Sequence, residues 1–209
     1  MKILFQGDSI TDAFRKPEEV SVAYQLGNGY AFLAAAELAC QEPGRGWEFV
    51  NRGVSGAKIK EIAFRWQDDA LALQPDLVSL LAGVNDTIHC FMFGIQGLSV
   101  EEFASTYDNL LARVLESKPD SRILLMEPFL LEVGEVTAEW KAHLRPRQEA
   151  VAKIASDRSI PCIPLQKHFD EACRRAPAAY WAYDGIHPTL AGARLIADFW
   201  LSTFRSISM

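Results

Sequence analysis

The chain is predicted to fold as an α/β protein, a doubly wound parallel sheet with helices on both faces, and three observations predict it. Short apolar runs alternate along the sequence with longer segments of helical period. Five such runs occur, and a helical segment separates each from the next. No linker, repeat or low-complexity tract divides the chain, so a single domain is expected across residues 1–209.

The first strand is expected at Lys2–Gln6, where Ile3-Leu4-Phe5 form an apolar run. Tyr30–Gln41, rich in Ala, Leu and Phe, reads as a packing helix, followed by a strand over Glu48–Val54. In Ile59–Leu73 the residues Ile62, Trp66 and Ala70 recur at i, i+4 spacing, which puts them on one helix face. A third strand is expected at Leu77–Ala82, then a helix at Val100–Ser117 with Phe103, Tyr107, Leu110, Leu111 and Val114 on one stripe. Arg122–Met126 reads as the fourth strand, and the helix expected over Thr137–Ser156 should bend or restart at Pro146. A fifth strand at Pro161–Leu165 precedes a last helix over Pro188–Phe204, which opens on a proline at a tolerated first-turn position.

A chain of 209 residues can bury about 70% of its unfolded surface, enough for a core without disulfides. Hydrophobic residues make up 49% and charged residues 23%, the balance of a globular protein. The net charge of −6, with no basic run, argues against nucleic acid or an anionic membrane as partner. The opening MKILFQGDS is too short in apolar residues for a signal-peptide core or a membrane span, so a cytoplasmic location is expected. Cys40, Cys90, Cys162 and Cys173 lack any C-x-x-C spacing and read as mostly buried free thiols.

In open α/β sheets ligands bind beyond the carboxyl ends of the strands. Four polar turns lie there: Gly7-Asp8-Ser9, Asn51-Arg52-Gly53-Val54-Ser55-Gly56, Gly83-Val84-Asn85-Asp86 and, before the last helix, Asp184-Gly185-Ile186-His187. They hold the parts that acyl transfer needs. Ser9 is the candidate nucleophile and His187 the base that accepts its proton. Asp184, three residues before His187, can hold the imidazole from the same side of a turn. The backbone N–H groups of Ser9 and Gly53 and the side-chain amide of Asn85 are candidate oxyanion donors.

That set resembles, in order and spacing, the four sequence blocks of the SGNH hydrolases, or GDSL-type esterases, and the resemblance spans residues 3 to about 204. Within that family the closer likeness is to intracellular acetylxylan esterases, on GDSITD, Gly27-Asn28-Gly29-Tyr30, VNRGVSG, Phe64-Arg65-Trp66, Asp69, Gln74-Pro75-Asp76 and LLAGVND. The loops Cys90-Phe91-Met92-Phe93-Gly94 and Leu130–Lys141 depart from it. The resemblance implies a flavodoxin-like three-layer sheet, a Ser-His-Asp relay, no metal or other cofactor, small-molecule or oligosaccharide ester substrates, and often a homo-oligomer.

Asp8, Thr11, Asp12 and Asp86 read as residues that shape the turns, and His89, Trp181 and Tyr183 as candidates to line the substrate site. His143 and His168 lack partners at metal-ligand spacing. The alternatives are a lysophospholipase or thioesterase on longer acyl chains, acetyl transfer to a sugar, and a non-catalytic carbohydrate-binding module on the same fold.

Overall fold

The computed structural model describes residues 1–207 of the chain. Strand β1 (Lys2–Gly7) is buried from Ile3 to Gly7, and its two faces feed separate cores, which is why its apolar run shows no alternation with polar residues. It leads into a single helical turn, α1 (Ser9–Asp12), then α2 (Val22–Gln25) and α3 (Tyr30–Gln41). Strand β2 (Glu48–Asn51), α4 (Ile59–Asp69), β3 (Leu77–Leu81), α5 (Asn85–Phe93) and α6 (Val100–Ser117) follow. The remainder is β4 (Arg122–Met126), α7 (Ala138–Asp157), β5 (Cys162–Ile163), α8 (Leu165–Ala172), α9 (Ala178–Trp181) and α10 (Leu190–Ile207).

All five strands are parallel, in the order β2-β1-β3-β4-β5. The chain therefore leaves β1 toward one side and returns on the other, and the order reverses between β1 and β3. Successive side chains of a strand face opposite ways, so Ile3 and Phe5 enter one core with Tyr30, Ala34, Ile196 and Trp200, while Leu4 enters the other with Ile62, Trp66, Phe103 and Tyr107. The buried indoles have partners: Trp200 donates to Ser79 Oγ at 2.8 Å and Trp66 to the Leu110 carbonyl at 3.0 Å. Helix α6 starts with a capping box, the Glu102 N–H on Ser99 Oγ at 3.1 Å and the Ser99 N–H on Glu102 Oε2 at 2.9 Å.

Five expectations are corrected. The second strand stops at Asn51, because the side chain of Asn51 takes over the hydrogen bonding of the next turn. Ile59–Leu73 is not one helix: Ala70, at φ −130°, leaves helical geometry and a 3-10 turn covers Leu71–Leu73. Pro146 causes no restart, and α7 runs continuously through it. Pro188 does not open the last helix but pairs with Ala182 in an antiparallel bridge, its ring forcing His187 toward extended backbone. Cys40 is exposed and the other three cysteines are only part-buried, though all four are free.

Candidate active site

Ser9 stands at the carboxyl end of β1, at the reversal of strand order. The turn that carries it is capped by its neighbour, since Asp8 Oδ1 accepts the Ile10 N–H at 3.0 Å. Thr11 Oγ1 and the Tyr30 hydroxyl, 3.0 Å apart, tie the same turn to α3. The Ser9 hydroxyl lies 2.9 Å from His187 Nε2, across 178 residues of sequence.

On the far side of the ring, His187 Nδ1 lies 2.6 Å from Asp184 Oδ2. The other oxygen of that carboxylate accepts the Ile186 N–H at 2.9 Å and the His187 N–H at 2.7 Å. Burial pushes the Asp184 carboxyl up, but these hydrogen bonds from the His187 backbone, its ring and Ile186 outweigh burial and hold it below the usual carboxylate range. Both groups sit on one short loop, closed at its base by the Tyr183 N–H to His187 O bond of 3.2 Å and the Thr189 N–H to Trp181 O bond of 2.9 Å. The arrangement gives a hydroxyl an adjacent proton acceptor whose second nitrogen is held by an ionised acid, the requirement for nucleophilic attack by serine.

Of the three expected oxyanion donors, two are available and one is not. The Ser9 N–H donates to nothing among the described residues. Asn85, buried at the start of α5, spends one amide hydrogen on Ala57 O at 3.1 Å and keeps the second. Gly53 is corrected: its single N–H is consumed by Asn51 Oδ1 at 2.9 Å. Glycine is required there for a different reason, since a Cβ would fall 2.4 Å from the backbone nitrogen of Asp12. Gly56, three residues on and at φ 77°, has an N–H without a partner among the described residues. Its turn is fastened to the nucleophile by the Val54 N–H to Gly7 O bond of 3.1 Å and to Asn85 through Ala57. Gly56 thus offers a free N–H near this edge that sequence alone did not single out.

Two further carboxyls flank this edge. Asp8 is 0% exposed, its Oδ2 has no partner among the described residues, and burial pushes its pKa up to about 7. Asp86 accepts the Ile59 N–H at 3.1 Å while its other oxygen is unpartnered, and burial pushes it up to about 6. Asp12, by contrast, binds Ser55 Oγ at 2.6 Å and pairs with Arg15 at 3.3 Å, so it holds the turns together.

A cavity of about 220 Å³ opens directly onto Ser9 and His187, with Phe14, Asn28, Tyr183 and Leu190 in its wall. Tyr183 is 57% exposed and its ring lies over the imidazole, with centroids 5.8 Å apart and planes at 18°. Trp181 is corrected: it is 7% exposed, its indole donates to Ala176 O at 3.3 Å, and it packs in the core rather than against a ligand. His89 is not in this wall; it stands edge-on to Phe93, 5.3 Å between centroids. His143 stands edge-on to Phe91 and His168 stacks on Phe199.

The chain is similar to known proteins over nearly its whole length. The model of the GDSL-like Lipase/Acylhydrolase family matches residues 5–195. An acetylxylan esterase from Geobacillus stearothermophilus is 32% identical over 205 residues, covering 96% of this chain and 92% of that enzyme. Among solved structures, one described as a GDSL-like lipase from Parabacteroides merdae superposes with a TM-score of 0.91 at 35% identity, covering 96% of this chain and 94% of that one. The crystal structure of an acetylxylan esterase from Geobacillus stearothermophilus gives a TM-score of 0.85 at 30% identity, covering 96% and 92%.

Proposed function

Since the chain belongs to the GDSL-like Lipase/Acylhydrolase family and is a carboxylic-ester hydrolase, we propose that it removes O-acetyl groups from acetylated sugars such as xylo-oligosaccharides, with Ser9, His187 and Asp184 as its catalytic groups. The observation that carries the assignment of roles is the unbroken hydrogen-bonded line from Ser9 Oγ through the imidazole to Asp184. The choice of acetylated sugar is supported by the likeness to the acetylxylan esterase over nearly the whole chain.

As His187 Nε2 takes the hydroxyl proton, Ser9 Oγ bonds to the ester carbonyl carbon and the carbonyl oxygen becomes an oxyanion. The Ser9 and Gly56 N–H groups and the Asn85 amide are the donors for it. Asp184 stabilises the imidazolium without taking its proton. The bond from carbon to the alcohol oxygen then breaks, the imidazolium gives its proton to that oxygen, and acetyl remains on Ser9. Water, deprotonated by His187, attacks the acetyl carbonyl; the bond from carbon to Ser9 Oγ then breaks, the imidazolium returns its proton to that oxygen, and acetate leaves.

Purified Ser9→Ala tests the roles. Hydrolysis of p-nitrophenyl acetate is expected to fall by about 10⁴-fold or more, and an unchanged rate would falsify them. The substrate is tested by ester chain length: rates falling from acetate to octanoate, with acetate released from acetylated xylo-oligosaccharides, are expected. Rates that rise with chain length would instead favour a lysophospholipase or thioesterase.

A further inference from the structure

The cavity beside Ser9 has one wall whose backbone is in an unfavourable conformation. Ala13 and Phe14 both have positive φ, 43° and 59°, in the left-handed region that residues with a Cβ, and bulky ones above all, rarely adopt. The segment is held there from both ends. The Ala13 N–H donates to Ser9 O at 3.0 Å, and Ala13 O accepts the Asn28 N–H at 2.9 Å. One residue later, Arg15 donates through its N–H to Asp12 O at 2.9 Å and through Nε to Gly53 O at 2.8 Å. Glycine or asparagine would fit such a backbone without strain. The chain instead presents an aromatic ring that is 82% exposed, so core packing does not account for it. Strain maintained by neighbouring contacts concentrates where a site needs a side chain aimed.

The position of the cavity shows which half of an ester it would receive. Its wall includes Ser9, His187 and Thr189 but none of Gly53, Gly56 and Asn85. The carbonyl oxygen of a bound ester turns toward the oxyanion donors, whereas the departing alcohol oxygen must lie against His187 Nε2 to collect its proton. The cavity therefore extends on the alcohol side. Two of its aromatic wall residues, Phe14 and Tyr183, are exposed, and Tyr183 is already parallel to the imidazole.

We propose that Phe14 determines specificity: with Tyr183 it forms an aromatic-walled site for the alcohol half of the ester, one that presents a flat face such as a pyranose ring. The inference rests on the esterase reading above and adds to it the residue that selects the leaving group. Stacking of this kind contributes to binding of the alcohol and not to the chemistry at the carbonyl, so it is expressed mainly in KM.

The test compares parent, Phe14→Ala and Phe14→Gly on an acetylated pyranoside, on ethyl acetate and on ethyl butyrate. The ratio of kcat/KM for the acetylated pyranoside to that for ethyl acetate is expected to fall about tenfold in both variants, mostly through KM. Phe14→Tyr should restore it. Phe14→Gly, which relieves the positive φ, should melt no lower than the parent, separating lost selectivity from lost folding. An unchanged ratio, or a change that follows acetate against butyrate instead of the alcohol, overturns the proposal. If Ser9→Ala abolishes activity while the Phe14 ratio stays put, only this inference fails; if Ser9→Ala stays active, the esterase roles fail first.

Discussion

Two turns meet at Ser9, and each brings a carboxyl group held in the opposite way. On the turn before α10, Asp184 is part-exposed and receives three hydrogen bonds, so it stays ionised. On the turn after β1, Asp8 is sealed from solvent and receives one from a side-chain-capped N–H, so burial moves it toward the neutral acid. Identical side chains at similar distance along the chain from their partners thus differ in charge because of the donors aimed at them. A fixed negative charge is what an imidazolium needs behind it, and only the Asp184 side is built to supply one.

Substitution on the Asp184 side should have the largest effect. Asp184→Asn preserves shape but removes the charge and disturbs the tautomer, and kcat on p-nitrophenyl acetate is expected to fall about 10³–10⁴-fold. A loss under tenfold would take Asp184 out of the relay and erase the contrast with Asp8. Next comes Asn85→Ala, where steady-state kinetics should show kcat down about 10²–10³-fold for the loss of one oxyanion donor.

Gly53→Ala separates closeness from catalysis. Its new Cβ must push against the backbone of Asp12, and overpacking of about 1–3 kcal/mol should lower the melting temperature by several degrees in calorimetry. An unchanged melting temperature would show that the turn yields freely. The other side is tested through pH. In the unfolded chain Asp8 titrates near pH 4, and in the folded chain at about 7. Below pH 4 it is neutral in both states; as pH rises from 4 to 7 the unfolded chain loses the proton first, so the stability of the parent declines through that window. Asn does not titrate. The melting temperature of Asp8→Asn relative to the parent should therefore climb between pH 4 and 7 and then level off, and a flat difference would mean that Asp8 is ionised like Asp184.

The same contrast separates what could be read in the sequence from what could not. The five strands and the long helices were legible because a buried parallel strand must be an apolar run and a packing helix must repeat its apolar face. Ser9 and Asn85 were legible because each follows such a strand, and Asp184 and His187 because their i, i+3 pair stands just ahead of the last helix. The start of α5 was not, since Asn85-Asp86 looks locally like a turn, and only burial against α4 makes it helix. The choice of Gly56 over Gly53 hangs on one hydrogen bond, from the Gly53 N–H to Asn51 Oδ1, and no periodicity encodes it. Trp181 and Tyr183 are two residues apart, yet one is core and the other lines the cavity, because the bridge between Ala182 and Pro188 turns the chain between them.

The bond between residues 9 and 187 has a consequence for how the protein is made. Every strand of the sheet is synthesised before the base is, so the nucleophile has no proton acceptor until the loop ahead of α10 has been made. On the proposed roles, hydrolysis begins only when the loop ahead of α10 docks on the turn after β1. Ester cleavage by this pair would then report that the loop around residue 187 has found the turn around residue 9.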